Sequence, residues 1–204
     1  MATLVASDGS HNHPYLQRLQ ANAEPMRDLA DAAHHLCTLH GRHPGVIDHA
    51  EARQRLGVEG DWLEAAAHGF AEERALLVRI VSAAGPLPST PGHAQSQAAV
   101  SAQHHALDML AQSGRAGCAA GAALALAIDW LSIREVLDAA ALRLGLPASA
   151  SAMPLHEETL TVIDALVREP AIERAMLFGA QQLFAQHRGL WDLLEARASA
   201  RDRH

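Results

Sequence analysis

The sequence predicts an all-α protein: a single-domain helical bundle of six or seven helices around a central apolar helix at about residues 117–144. Apolar residues recur at helical spacing over most of the chain, whereas the alternating runs that are typical of strands are nearly absent. Hydrophobic residues make up 49% of the 204 positions, which is enough for one sizeable core. Aromatic residues contribute only 3%, so this core must consist mainly of Ala, Leu, Val and Ile.

The helices and their boundaries follow from this periodicity and from the positions of Gly and Pro. The predicted helices cover, in chain order, residues 14–39 with a bend at Pro25, 46–56, 61–84, 91–112, 117–144, 154–168 and 170–198. Gly41 ends the first, with Pro44 just beyond it. Pro170 suits the first position of the last helix. Two stretches rich in Pro, Gly and Ser, at 85–92 and 145–154, are linkers.

The ends of the chain and the start of the third helix are predicted from local residue patterns. Asp61 and Glu64 form a capping-box-like pattern, which places a helix start at residue 61. We expect residues 1–13 to be a flexible N-terminal arm, 14–198 to be the single bundle domain, and 199–204 to be a frayed tail.

The 117–144 helix is apolar on nearly all sides in its first half, which indicates a helix surrounded by others. Gly117 and Gly121 lie four residues apart on it. Small residues at this spacing let two helix backbones approach closely. The sequence therefore predicts tight packing of this helix against a neighbour.

Charge and cysteine content indicate where the protein works. A net charge of −7 argues against a nucleic-acid surface, and the basic-leaning end at 195–204 is predicted to be a solvated helix end. The uncharged stretch at 116–128 is shorter than the ~20 residues that a membrane span needs. Cys37 and Cys118 lie in separate helices and are expected to be free thiols. We therefore expect a soluble, cytoplasmic protein without nucleic-acid or membrane partners.

Asp129 is the polar residue that most needs an explanation, because it lies in the most apolar stretch of the chain. At helical spacing its neighbours are apolar except for Ser132. A buried ionised carboxylate is costly unless it is paired, hydrogen-bonded or bound to a metal. The other polar residues that periodicity turns inward are the candidate partners: Glu73, His187, His40 and Gln103, with Arg74 and Arg134 close to the same faces. Asp31 and His35 face away from the apolar stripe and are predicted to form a surface pair.

Three interpretations of these inward residues stay open. The first is a buried hydrogen bond or ion pair that fixes helix register. The second is a metal site for iron, manganese or zinc, with Glu73, Asp129, His187 and His40 as ligands, because bundles hold such metals with carboxylates and imidazoles from several helices. The third is a general acid/base pair in a small-molecule pocket. The fourteen histidines add the option of a pH-responsive site.

In length and helix count the chain resembles ferritin-like and haem-oxygenase-like proteins, in architecture only. It has no Glu-x-x-His motif of the ferritin-like metal sites. No recognised catalytic motif is present either. The functional hypothesis is therefore a helical-bundle protein that acts through self-association or through a protein partner. The alternative is an enzyme or metal-binding protein with a carboxylate/histidine site between helices.

Overall fold

The computed structural model describes residues 1–21, 23–53, 58–87, 92–166 and 169–203, and this part of the chain is helical without any strand. The helices are α1 (Ala2–Asp8), α2 (Pro14–Gln20), α3 (Met26–His40), α4 (Val46–Glu51), α5 (Val58–Ala84), α6 (His93–Ala111), α7 (Cys118–Arg143), α8 (His156–Leu166) and α9 (Pro170–Arg201). A short 3-10 turn, Ser10–Asn12, joins α1 to α2. The predicted all-α bundle is confirmed.

Several boundaries differ from the predicted ones. The helix predicted over 14–39 is two helices, α2 and α3, and Pro25 is the extended residue that precedes α3. Helix α5 begins at Val58, so Asp61 and Glu64 lie inside it and the predicted cap at residue 61 is wrong. The last part of the helix predicted over 46–56 lies outside the described residues.

Helix α7 is the central helix, as predicted. All of its residues from Cys118 to Trp130 are buried. Its main neighbour is α9, and the two helices run in the same direction, because Gly121 faces Met176 and Asp129 faces His187. The whole first half of α7 is therefore shielded from water.

Glycines make the close approach of α7 and α9 possible. A Cβ on Gly121 would lie 2.1 Å from the carbonyl oxygen of Met176, and one on Gly179 would lie 2.1 Å from that of Cys118. No side chain fits at these distances, so a larger residue would force the helices apart. The close packing predicted from Gly117 and Gly121 is confirmed.

The sequence predicts a solvated helix end at 195–204, but the C-terminal end of α9 packs against α3. Arg197 and Arg201 donate hydrogen bonds of 2.6–3.0 Å to the carboxylates of Asp31 and Asp28 on α3. Burial opposes ionisation of Asp31, but hydrogen bonds from His35, Arg197 and Arg201 outweigh it and lower the pKa of this carboxyl group.

The predicted surface pair of Asp31 and His35 is wrong for the same reason. Both side chains are buried, at 1% and 3% exposure, because α6 and α9 cover this side of α3. The division of the chain into arm, domain and tail stays a prediction, although residues 2–8 are helical and Ser10 is buried. No helix among the described residues is long and apolar enough to cross a membrane.

Candidate functional site

Asp129 is buried at 2% exposure and accepts three hydrogen bonds. Its Oδ1 atom accepts the backbone N–H of Ser10 at 2.7 Å. Its Oδ2 atom accepts both the Ser10 hydroxyl at 2.5 Å and Nδ1 of His187 at 2.6 Å. The Ser10 hydroxyl oxygen in turn accepts the indole N–H of Trp191 at 2.9 Å. The carboxylate in the apolar helix is therefore fully hydrogen-bonded.

His187 connects this carboxylate to a second histidine. Its Nε2 atom lies 2.8 Å from Nε2 of His40, on α3. Because Nδ1 of His187 faces a carboxylate, it carries a proton, and one further proton lies between the two Nε2 atoms. We call Asp129, His187 and His40 the relay. It crosses the core from α7 through α9 to α3.

His40 is the end of the relay and is held in an apolar environment. Its ring stands edge-on to the rings of Trp130 and Phe70, with centroids 5.7 and 6.2 Å away. Burial lowers the pKa of His40 well below its usual value, and the neighbouring His187, His104 and Arg74 lower it further. His40 is therefore neutral at neutral pH.

A small cavity borders His40. Its volume is about 10 Å³, comparable with the smallest cavity that holds one water molecule, and Arg42 and His104 also line it. His104 bonds the carbonyl of Leu39 through Nδ1 at 2.9 Å and lies 3.3 Å from a carboxylate oxygen of Asp108 through Nε2. In this conformation the cavity admits a proton carrier such as water and is too small for a metabolite.

Glu73 belongs to a separate buried cluster. Its Oε1 atom accepts hydrogen bonds from Arg134 at 2.8 Å and from the Ser151 hydroxyl at 2.6 Å. Its Oε2 atom accepts the indole N–H of Trp130 at 3.1 Å. Arg134 also donates to Asp138. We call this the Glu73 cluster, and among the described contacts it meets the relay where the Trp130 ring stands edge-on to that of His40.

The structure thus brings together three of the four residues predicted as metal ligands, namely Asp129, His187 and His40. Glu73 is buried as predicted but lies in its own cluster. In the part of the chain that the structure describes, no group of three or more His, Cys, Asp or Glu side chains is placed to hold a metal ion. The assignment of these four residues to a metal site stays a prediction.

Other candidate partners of Asp129 are engaged elsewhere. Gln103 donates to the carbonyl of Gln186 at 3.1 Å. Arg74 forms two hydrogen bonds with Asp48, at 2.8 and 3.1 Å. Burial opposes ionisation of Asp48, but the bonds from Arg74 and from a backbone N–H lower the pKa of this carboxyl group. The partner that sequence reasoning missed is Ser10, because it lies in a segment without helical periodicity.

The comparisons with known proteins give a family but no activity. The family model of DUF6975, described as a family of unknown function, matches residues 5–202. The chain belongs to this family. The matched range contains Ser10, the relay and the Glu73 cluster. No curated protein and no solved structure matches the chain.

Proposed function

We propose that this helical protein takes up and releases a proton at the relay, and that its function depends on this acid–base chemistry. The observation that carries the proposal is the 2.8 Å distance between Nε2 of His40 and Nε2 of His187, with Asp129 bound behind His187. A carboxylate that orients an imidazole, which then contacts a second acid–base group, is the arrangement by which proteins position a proton.

The relay holds one proton between its histidines but not two. A second proton would place two N–H groups against each other at 2.8 Å and bury an extra charge. Acidification therefore opposes the contact between α3 and α9. A substrate that reached the cavity beside His40 would meet a base oriented by His187. In the alternative hypothesis of an enzyme, His40 would therefore be the general base.

The test of this proposal is the pH dependence of stability, and its sign follows from His40. The unfolded chain takes up a proton on this histidine near pH ~6.5, whereas the folded protein resists it. The free energy of unfolding should therefore fall as pH drops below about 6.5, by up to ~1.4 kcal/mol per pH unit. This contribution is complete above pH ~6.5 and is lost towards acid.

We expect His40→Gln to remove that slope, because glutamine keeps a hydrogen-bonding group but does not titrate. Urea unfolding from about pH 8 to about pH 5 measures it. His68→Gln is the matched control, since His68 is exposed on α5. Parallel pH profiles for wild type and His40→Gln would contradict the proposal, whereas a profile that becomes flatter only in His40→Gln would support it.

Metal binding at the same place is the other proposal for these residues. Histidines that bind metals usually donate their second N–H to a carboxylate, as His187 does to Asp129. Iron, manganese or zinc would be the metal, and its content would be measured in wild type and in the Asp129 variants. Cys37 and Cys118 are free thiols, which supports the proposal that the protein works in the reducing cytoplasm.

Self-association is the second candidate function, and exposed apolar side chains favour it. Leu142, Leu155 and Met109 are exposed at 75%, 69% and 65%. If they contact a second copy, light scattering coupled to size exclusion should give a mass above the 21.7 kDa of one chain. A variant that changes all three to Ser should then run as a monomer. A monomeric wild type at high concentration would contradict this candidate.

A further inference from the structure

The segment from Asp8 to His13 is tied to the relay by Ser10. We call these six residues the latch segment. Ser10 is 3% exposed and donates hydrogen bonds to Asp129 from both its backbone N–H and its hydroxyl group. Two contacts flank it: an ion pair between Asp8 and Arg188, and a hydrogen bond between Nε2 of His13 and the carboxylate of Asp192. The buried end of the latch segment is therefore held by the same carboxylate that orients the relay.

Ser10 and His187 share one acceptor atom. The Ser10 hydroxyl and Nδ1 of His187 both donate to Oδ2 of Asp129, at 2.5 and 2.6 Å. Each hydrogen bond to a carboxylate disperses its negative charge. The more strongly Ser10 binds Asp129, the less that carboxylate can stabilise a positive charge on the two histidines. Docking of Ser10 and protonation of the relay therefore compete for the negative charge of the Asp129 carboxylate.

We infer that the latch segment responds to protonation of the relay: docking of this segment through Ser10 and protonation of the relay oppose each other. This inference rests on the proposed function, because it assigns the relay a proton to bind. Linkage makes the effect reciprocal: if docking of Ser10 lowers the proton affinity of the relay tenfold, protonation weakens docking tenfold. Acidification would loosen the segment and leave the rest of the bundle folded.

Other charged and titratable groups face the relay from the helices packed against it. Arg74 on α5 and His104 on α6 both lower the pKa of His40 and so oppose its protonation. The charge of Glu73 is engaged by Arg134. The latch segment itself carries titratable groups. These are Asp8, His11 and His13. His13 contacts Asp192 at 3.1 Å and therefore needs its own control.

The first measurement is the proton affinity of the relay, from NMR of the protein with isotope-labelled histidines. We expect Ser10→Ala to raise the apparent pKa of the relay by about one unit, which is a tenfold change in proton affinity. Ser7→Ala is the matched control, because the Ser7 hydroxyl bonds only to the carbonyl of Leu4, at the surface. An unchanged pKa in Ser10→Ala would overturn the inference.

The second measurement is amide hydrogen exchange of the latch segment, which needs no change to Ser10. Its protection in wild type should fall as pH is lowered from about 7.5 through the range in which the relay titrates, by up to about tenfold, after correction for intrinsic exchange rates. We expect this fall to vanish in His40→Gln and to persist in His13→Gln. If the fall depends on His13 alone, or does not occur, the inference is wrong.

The two measurements distinguish an error in this inference about the latch segment from an error in the proposed function. If the relay titrates through His40 but the amide protection of the latch segment does not change with pH, only the inference about the latch segment is wrong. A pH profile of stability that does not depend on His40 would overturn the proposed function as well.

Discussion

Replacing Asp129 with Leu is expected to lower the free energy of unfolding by roughly 3–5 kcal/mol. The change leaves Nδ1 of His187 and both donors of Ser10 without an acceptor in the core. Unpaired buried donors each carry their full desolvation cost, and a charged histidine there would cost more. Urea unfolding at neutral pH measures the loss, and Ser132→Ala on the same helix is the control.

Asp129→Asn should cost less, roughly 1–3 kcal/mol. Its carbonyl oxygen can still accept the backbone N–H of Ser10, but its NH₂ group faces two groups that donate to the carboxylate. The Ser10 hydroxyl can rotate and His187 can change tautomer, which would reverse the relay. The Asn variant should therefore fold and, because His40 stays buried, keep the His40-dependent pH slope.

Two results would contradict this account of Asp129. Unchanged or raised stability in Asp129→Leu would mean that the carboxylate is retained for function at a cost to folding. The second comes from elemental analysis of untagged protein, purified from cells grown with added iron, manganese and zinc. A stoichiometric metal in wild type that both variants lose would assign the relay to metal binding instead.

The sequence predicted burial well because burial follows local periodicity. Glu73, Asp129, His187 and His40 each lie on the apolar face of a helix, and all four are buried. Their partners could not be predicted in the same way. Which side chains meet depends on the direction and depth of helix packing, such as the parallel approach of α7 and α9 at Gly121.

Two further errors have the same origin. The apolar stripe of α3 defined one buried face, but α9 covers a second face with Arg197 and Arg201, so Asp31 is buried among cations. These arginines lie in a sequence that is typical of a solvated end. Ser10 lies outside any helical pattern, and no local signal marks it as the partner of Asp129. Long-range pairs of this kind are fixed by tertiary packing alone.

Glu73→Leu is expected to lower the free energy of unfolding by roughly 3–5 kcal/mol, because it removes the buried carboxylate partner of the Arg134 guanidinium and leaves only the half-exposed Asp138 as an ion-pair partner. The neighbouring Glu72→Leu is a matched control, since Glu72 is exposed on the same helix and its replacement should stay within about 0.5 kcal/mol of wild type. Equal effects of the two variants would show that the Glu73 cluster contributes nothing specific to the fold.

The double variant Glu73→Leu/Arg134→Met sharpens this prediction. Replacing both members of a buried ion pair with apolar residues is often close to neutral, so most of the loss in Glu73→Leu should be recovered. Arg134 also binds Asp138 and the carbonyl of Ser149, so recovery should be incomplete. Because Glu73 lies outside the relay, the His40-dependent pH slope should persist in the folded double variant. Loss of that slope would instead join Glu73 to the relay, as the four-residue site predicted from the sequence requires.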